Sequence, residues 1–239
     1  MIKKHETLAI VAALAVVYFC AGKVGLRFAI VHPSATALWA PTGIALAAFL
    51  IFGFRVWPGV FLGAFLVNLT TVGTVLTSLG IATGNTLEAV AGAYLVTRYS
   101  RGQYAFERAQ DIFRFAFLAG LLSTTISATI GVATLTLGRF ADRTMYWPIW
   151  RTWWLGDGVG AVVVTPLVFL WRQNPHLNWT RKQIIELTFL FLGLIFTAWA
   201  VFGGSFHAEI KNYPLEYICL PFLIWAAFRF GRRKAATAT

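Results

Sequence analysis

Eight apolar stretches recur roughly every 25 to 35 residues along the chain, separated by short polar connections. A helix needs roughly 20 apolar residues to cross a hydrocarbon core. Lipid offers no partner to an unpaired backbone group, so a chain of such runs folds as a bundle of helices. A closed barrel would instead show short alternating strands. The expectation is an all-α, polytopic transmembrane bundle of about eight helices, at residues 7–31, 35–53, 56–72, 75–97, 112–137, 147–171, 184–203 and 213–230. Composition points the same way: 58% of the 239 residues are hydrophobic and 12% charged, with a mean hydropathy of +0.70. No linker, composition shift or repeat of 20 to 50 residues divides residues 1–239, so one integral-membrane domain is expected.

The formal charge of +11 would suit nucleic acid, but its distribution argues for topology instead. Placing the N-terminus in the cytoplasm puts Lys3, Lys4, Arg55, Arg98, Arg101, Arg108, Arg114, Arg172, Arg181, Lys182 and the Arg229 to Lys234 cluster on that side. The opposite loops hold only Arg139, Arg143 and Lys211. This positive-inside bias predicts both ends cytoplasmic in a bacterial inner membrane, with the basic clusters near anionic headgroups. No basic stripe interleaved with exposed aromatics supports a nucleic-acid partner. Lys3 and Lys4 before an apolar run resemble a secretion signal, but no convincing cleavage site follows. Cys20 and Cys219 fall in helices, where a thiol is an inert filler.

Polar groups at membrane depth cost about 2.5 to 3.5 kcal/mol each on insertion scales, so each needs a partner or a wet cavity. At 1.5 Å per residue, Arg151 lies about 6 Å and Asp157 about 15 Å below the outer face. Asn85 and Glu88, three residues apart, share one face of the fourth helix near mid-membrane. Asn68, Lys23 and Arg27 sit in the same outer half. The expectation is an outward-opening polar cavity in which these acids and bases meet, walled by Trp153 and Trp154. Gly156, Gly158 and Gly160 would let a helix or a ligand approach Asp157, and Pro41 and Pro166 would each free a helical carbonyl. Three plainer readings stand beside it: an interhelical network that only fixes packing, snorkelling of Lys23 and Arg27, and a protonated acid serving a relay. GVFLG, residues 59–63, reads as a close-packing glycine motif. Ser123, Thr124, Thr125 and Ser127 read as hydroxyls bonding back to their helix or across to a neighbour.

Catalytic and cofactor signals are lacking. The four histidines lack metal-ligand spacing, and neither a nucleophile elbow nor a Walker loop is present. No catalytic residue, metal or cofactor is expected.

Several stretches in order resemble the membrane-associated sensor domain family, MASE type one. They are ALWAPTGIALAAFLIFG at 37–53, VWPGVFLGAFLVNL at 56–69, GIATGNTLEAVAGAYL at 80–95, ISATIG at 126–131, WRTWWLGDGVGAVVVTPLVFL at 150–170 and PFLIWAAFRFG at 221–231. The resemblance covers most of the chain. Its motif residues here are Trp39, Pro41, Gly43, Trp57, Pro58, Gly63, Asn68, Gly84, Asn85, Glu88, Trp153, Trp154, Gly156, Asp157 and Pro166. Ala40 stands where many versions carry a second proline.

The resemblance implies a sensory input that feeds a cytoplasmic histidine kinase, diguanylate cyclase or phosphodiesterase, and it supplies no ligand. The partners expected for this chain are the lipid bilayer, an unknown small-molecule or protein signal, a cytoplasmic output domain or partner, and a homodimer. The chain reaches only AATAT after its last basic cluster, so the expectation is a sensor fragment or truncated product cut short of its output domain, with a free-standing module acting through a partner as the alternative. The competing functions are an ion-coupled transporter or channel, which buried acids also serve, and a membrane scaffold for a partner protein.

Overall fold

A computed structural model of the chain describes residues 4–173, 180–202 and 220–238. Its elements fall into two compact units, Met1–Phe169 and Leu170–Thr239.

In the first unit α1 spans Lys4–Leu26, earlier than the expected end at residue 31. The chain then makes an antiparallel hairpin, β1 (Ala29–His32) with β2 (Ala35–Thr36), pairing Ala29 with Thr36 and His32 with Ala35. Ile30 and Val31 suit a strand and Pro33 cannot continue a helix, so an apolar run read as the end of one helix becomes a turn of sheet. His32 pins the hairpin: its Nδ1 accepts from the Ser34 N–H at 3.1 Å, and its Nε2 lies 3.1 Å from the Phe140 carbonyl. Only the neutral Nε2–H tautomer satisfies both contacts.

Helix α2 runs Ala40–Phe52, later than the expected start at residue 35, with Pro41 in its first turn. There the missing N–H costs nothing, so Pro41 starts a helix instead of breaking one. Gly53, at φ 78°, caps its end by donating to the Phe49 carbonyl at 2.9 Å. After a 3-10 turn, α3 spans Trp57–Leu69, and its Gly59 and Gly63 lie against Val11, Leu14, Ala15 and Tyr18 of α1. The 59–63 glycine pair is thus a helix-packing motif.

Helix α4 spans Val75–Tyr99 and is capped by reciprocal bonds between Thr74 and Thr77. Helix α5 (Ala109–Phe115) passes through a π-helical stretch, Ala116–Leu122, into α6 (Thr124–Leu137), so the helix expected at 112–137 is one rod with a widened middle. Helix α7 spans Tyr146–Gln173 with Pro166 inside it.

Among the described residues, four segments are long and apolar enough to cross a membrane: Lys4–Leu26, Ala109–Leu137, Arg143–Gln173 and Arg181–Trp199. Helices α2 and α3 are apolar but shorter. Helix α4 is long enough but too polar by composition, and its packing explains why. It contacts α2, α3 and α6, burying Ser78, Gly84, Asn85, Thr86, Glu88, Ala89, Gly92 and Ala93. The face of α4 turned to these neighbours meets side chains instead of lipid, and small residues there let them close in, while Leu76, Leu87 and Tyr94 lie exposed on the other face.

In the second unit α8 (Arg181–Phe202) packs on α9 (Leu220–Ala238) around Leu190 and Ala226. Arg229 grips Glu186 with two bonds of 2.9 and 3.0 Å. The Trp171 indole donates to Thr237 at 3.0 Å, with the Arg233 guanidinium over its ring. The connection around Lys211 and the first residues of the helix expected at 213–230 lie outside the described residues.

Candidate functional site

The polar centre of the first unit draws one side chain or more from each of α1, α2, α4, α6 and α7. Asp157, on α7, is fully buried. Its Oδ1 accepts from the Thr42 hydroxyl of α2 at 3.0 Å. Glu88 of α4, 1% exposed, lies beside Asp157, Ser127 and Thr42, yet neither of its oxygens has a hydrogen-bond partner among the described residues. Ser127 of α6 donates to Asn85 Oδ1 at 2.6 Å and accepts from the Trp153 indole N–H at 3.0 Å. Tyr18 of α1, 1% exposed, lies beside Asp157, Glu88, Trp39 and Asn85 and meets the Trp39 ring edge-on at 6.5 Å.

The backbone makes room for this arrangement. The Trp39 N–H donates to the Gly156 carbonyl at 2.9 Å. A side chain at Gly156 would strike the Thr36 carbonyl, and one at Gly160 the Trp39 carbonyl. Gly156 and Gly160, four apart on one face of α7, therefore let the segment between the hairpin and α2 lie directly on the helix. Gly158 faces elsewhere: a Cβ there would sit 2.7 Å from the Gly120 carbonyl of the π-helical stretch. Thr165, just before Pro166, donates to the Gly43 carbonyl at 3.2 Å and ties α7 to α2 a second time.

The structure gathers only part of the expected set. Asp157, Glu88, Asn85, Trp153 and Trp39 come together. Asn68 turns back on its own helix, donating to the Ala64 carbonyl at 2.8 Å. Lys23 caps the end of α3, bonding the Thr70 carbonyl at 2.9 Å and the Thr71 hydroxyl at 3.2 Å. Arg27 is exposed, and Arg151, also exposed, bonds the Trp147 carbonyl one turn back. Trp154 donates to the Leu121 carbonyl at 2.9 Å, stacks on Trp150, and lines an apolar cavity of about 270 Å³ on a different face of α7. The expectation that acids and bases share one cavity is corrected: the cations take nearer backbone acceptors, and no basic side chain bridges to either acid among the described residues.

Asp111 shows the contrast. It is 2% exposed and flanked by Arg114 at 3.5 Å and Arg101 at 3.9 Å. The two acids of the polar centre have hydroxyls, an amide and indoles around them instead. Tyr18, Thr42 and Ser127 were not singled out for the site. Their signal was depth alone, a hydroxyl placed in an apolar run level with the acids. No group of three or more metal-ligating His, Cys, Asp or Glu side chains forms among the described residues.

Comparison with known proteins adds context. The family model described as MASE1 matches residues 10–239. A probable diguanylate cyclase of Escherichia coli (strain K12), DgcE, is 26% identical over 211 residues. That match covers 83% of this chain but 17% of the relative. No solved structure matches the chain.

Proposed function

We propose a function from the premise that this chain belongs to the MASE1 family. MASE1 is a membrane sensor domain, so the chain is a signal-input domain of the kind found in cyclic di-GMP signalling proteins. The chain spans only a small part of its cyclase relative, and the catalytic part of that relative lies elsewhere.

The reading proposed is a multi-pass domain of the bacterial inner membrane, with both ends cytoplasmic, whose output is a cytoplasmic cyclase or an equivalent effector. The positive-inside bias of its loops supports that orientation. Its sensory site is the polar centre around Glu88 and Asp157. One observation carries this: two buried carboxylates on different helices face each other with no cation among the described residues, inside a network that touches five helices. A network with an unsatisfied pair at its middle costs more than an apolar core would. Packing alone does not require it. A change in occupancy there alters what α4 and α7 gain from proximity, which is the differential affinity a two-state sensor needs.

The test joins residues 1–239 to a diguanylate cyclase domain and measures cyclic di-GMP in cells for wild type, Glu88→Gln and Asp157→Asn at matched membrane levels. The reading expects output locked high or low in the variants. Output identical to wild type under every stimulus tried would defeat it.

A further inference from the structure

We infer that Glu88 and Asp157 together hold one positive charge, a proton or a small monovalent cation, which reaches them from a water-sized chamber under the β1–β2 hairpin. The inference rests on the sensory reading above and names the class of its ligand.

The electrostatics of the pair call for a positive charge. Asp157 Oδ1 has the Thr42 hydroxyl, and the Ser127 hydroxyl is spent on Asn85. Among the described residues Asp157 Oδ2 and both Glu88 oxygens have no hydrogen-bond partner, and neither does the Asn85 amide nitrogen nearby, a neutral donor that cannot balance two charges. Two carboxylates this close and this buried are not both charged unless something positive lies with them. Among the described residues nothing of the kind lies there. Around the pair, α1 contributes Tyr18, α2 Thr42, α4 Asn85 and α6 Ser127, and none of these is a cation.

The chamber limits what the charge can be. Ser34, Thr36, Trp39, Trp153 and Asp157 line a cavity of about 10 Å³. Three of its lining residues carry a polar atom with no hydrogen-bond partner among the described residues: Ser34 Oγ, Trp39 Nε1 and Asp157 Oδ2. Ser34 and Trp39 are 7% and 8% exposed, so the orphaned atoms belong to the interior. About 10 to 15 Å³ on this measure is the room one water needs. A metabolite does not fit. A proton passed through a single bridging molecule, or one bare monovalent ion, does.

The experiment uses the purified chain in lipid nanodiscs. Infrared spectroscopy at neutral pH looks for the carbonyl stretch of a protonated carboxyl, and the melting temperature is followed as sodium replaces choline at constant ionic strength. A protonated-carboxyl band that Glu88→Gln or Asp157→Asn removes establishes the proton. A rise in melting temperature with sodium, lost in Asp157→Asn, establishes the cation. Ser34→Leu, which fills the chamber, should slow deuterium exchange of the band or weaken the sodium dependence about tenfold. Wild type lacking both the band and any response to lithium, sodium or potassium overturns the inference, whether or not the variants fold. If that happens while the cyclase fusions still respond to Glu88→Gln, the sensory reading stands and only the ligand assignment falls.

Discussion

Thr42 and Asp157, 115 residues apart in sequence, are joined by a 3.0 Å hydrogen bond that fixes the first turn of α2 to the middle of α7. The bond places a hydroxyl donor on one oxygen of a buried acid that lines the hairpin chamber and leaves the other oxygen without a hydrogen-bond partner among the described residues. Thr42→Val keeps the shape and removes the donor. Its expected cost is about 1 to 3 kcal/mol, because a buried acceptor then goes unsatisfied. Thr42→Ser should recover most of it, read as thermal unfolding in detergent.

Gly156 and Gly160 carry the close approach of the Thr36–Ala40 segment. Gly160→Ala and Gly156→Ala each press a methyl against a backbone carbonyl that cannot turn aside. A loss of about 1 to 3 kcal/mol or more is expected for each. Val159→Ala, on the exposed side of the same helix, should stay within about 0.5 kcal/mol. Equal effects at all three positions would mean that the hairpin does not lie on α7 as described.

Lys23 provides a check on how the charges are partitioned. Since it caps α3 and not Asp157, a double-mutant cycle between Lys23→Ala and Asp157→Asn should give a coupling within about 0.5 kcal/mol, as for independent sites. The cycle between Thr42→Val and Asp157→Asn should exceed 1 kcal/mol on the same reasoning for contacting groups. A large Lys23 coupling would restore the ion pair that the structure removes.

Asp142 governs a pH effect outside the membrane. Its Oδ1 accepts from the Thr144 backbone N–H and hydroxyl, both at 2.8 Å. Those bonds hold the carboxyl below its ordinary range, the backbone bond most of all. A lowered value in the folded state adds stability above the ordinary carboxylate range and loses it as pH falls through the lowered value. Asp142→Ala should therefore narrow the gap to wild type as the solution is acidified, in melting curves from neutral pH downward.

Helix positions were legible in the sequence for short and long helices alike, since the stretches expected at 56–72 and 75–97 are α3 and α4. For the stretches now seen as α1, α7 and α8, apolar length alone located the helices. It misled at residues 27–36, because Ile30 and Val31 are as apolar in a strand as in a helix and only Pro33 argued for a turn. At the site, the acids and Asn85 were legible because charge and amide are rare at membrane depth. Their supposed cations were not, since Lys23, Arg27 and Arg151 share that depth but point to other faces, and depth carries no azimuth. Thr42 and Ser127 were hidden by the opposite problem. Hydroxyls are common in such helices, and Ser123 and Thr124, bonding back to Ala119 and Gly120, show the ordinary use.

The central claim is that Glu88 and Asp157 act as one unit in signalling. The most direct measurement is cyclic di-GMP output from the cyclase fusion for Glu88→Gln, Asp157→Asn and the double variant. If the two acids share a single charge, removing either removes the unit, and the double variant should match a single one. Two changes that add independently, or no change in any variant, would contradict the account.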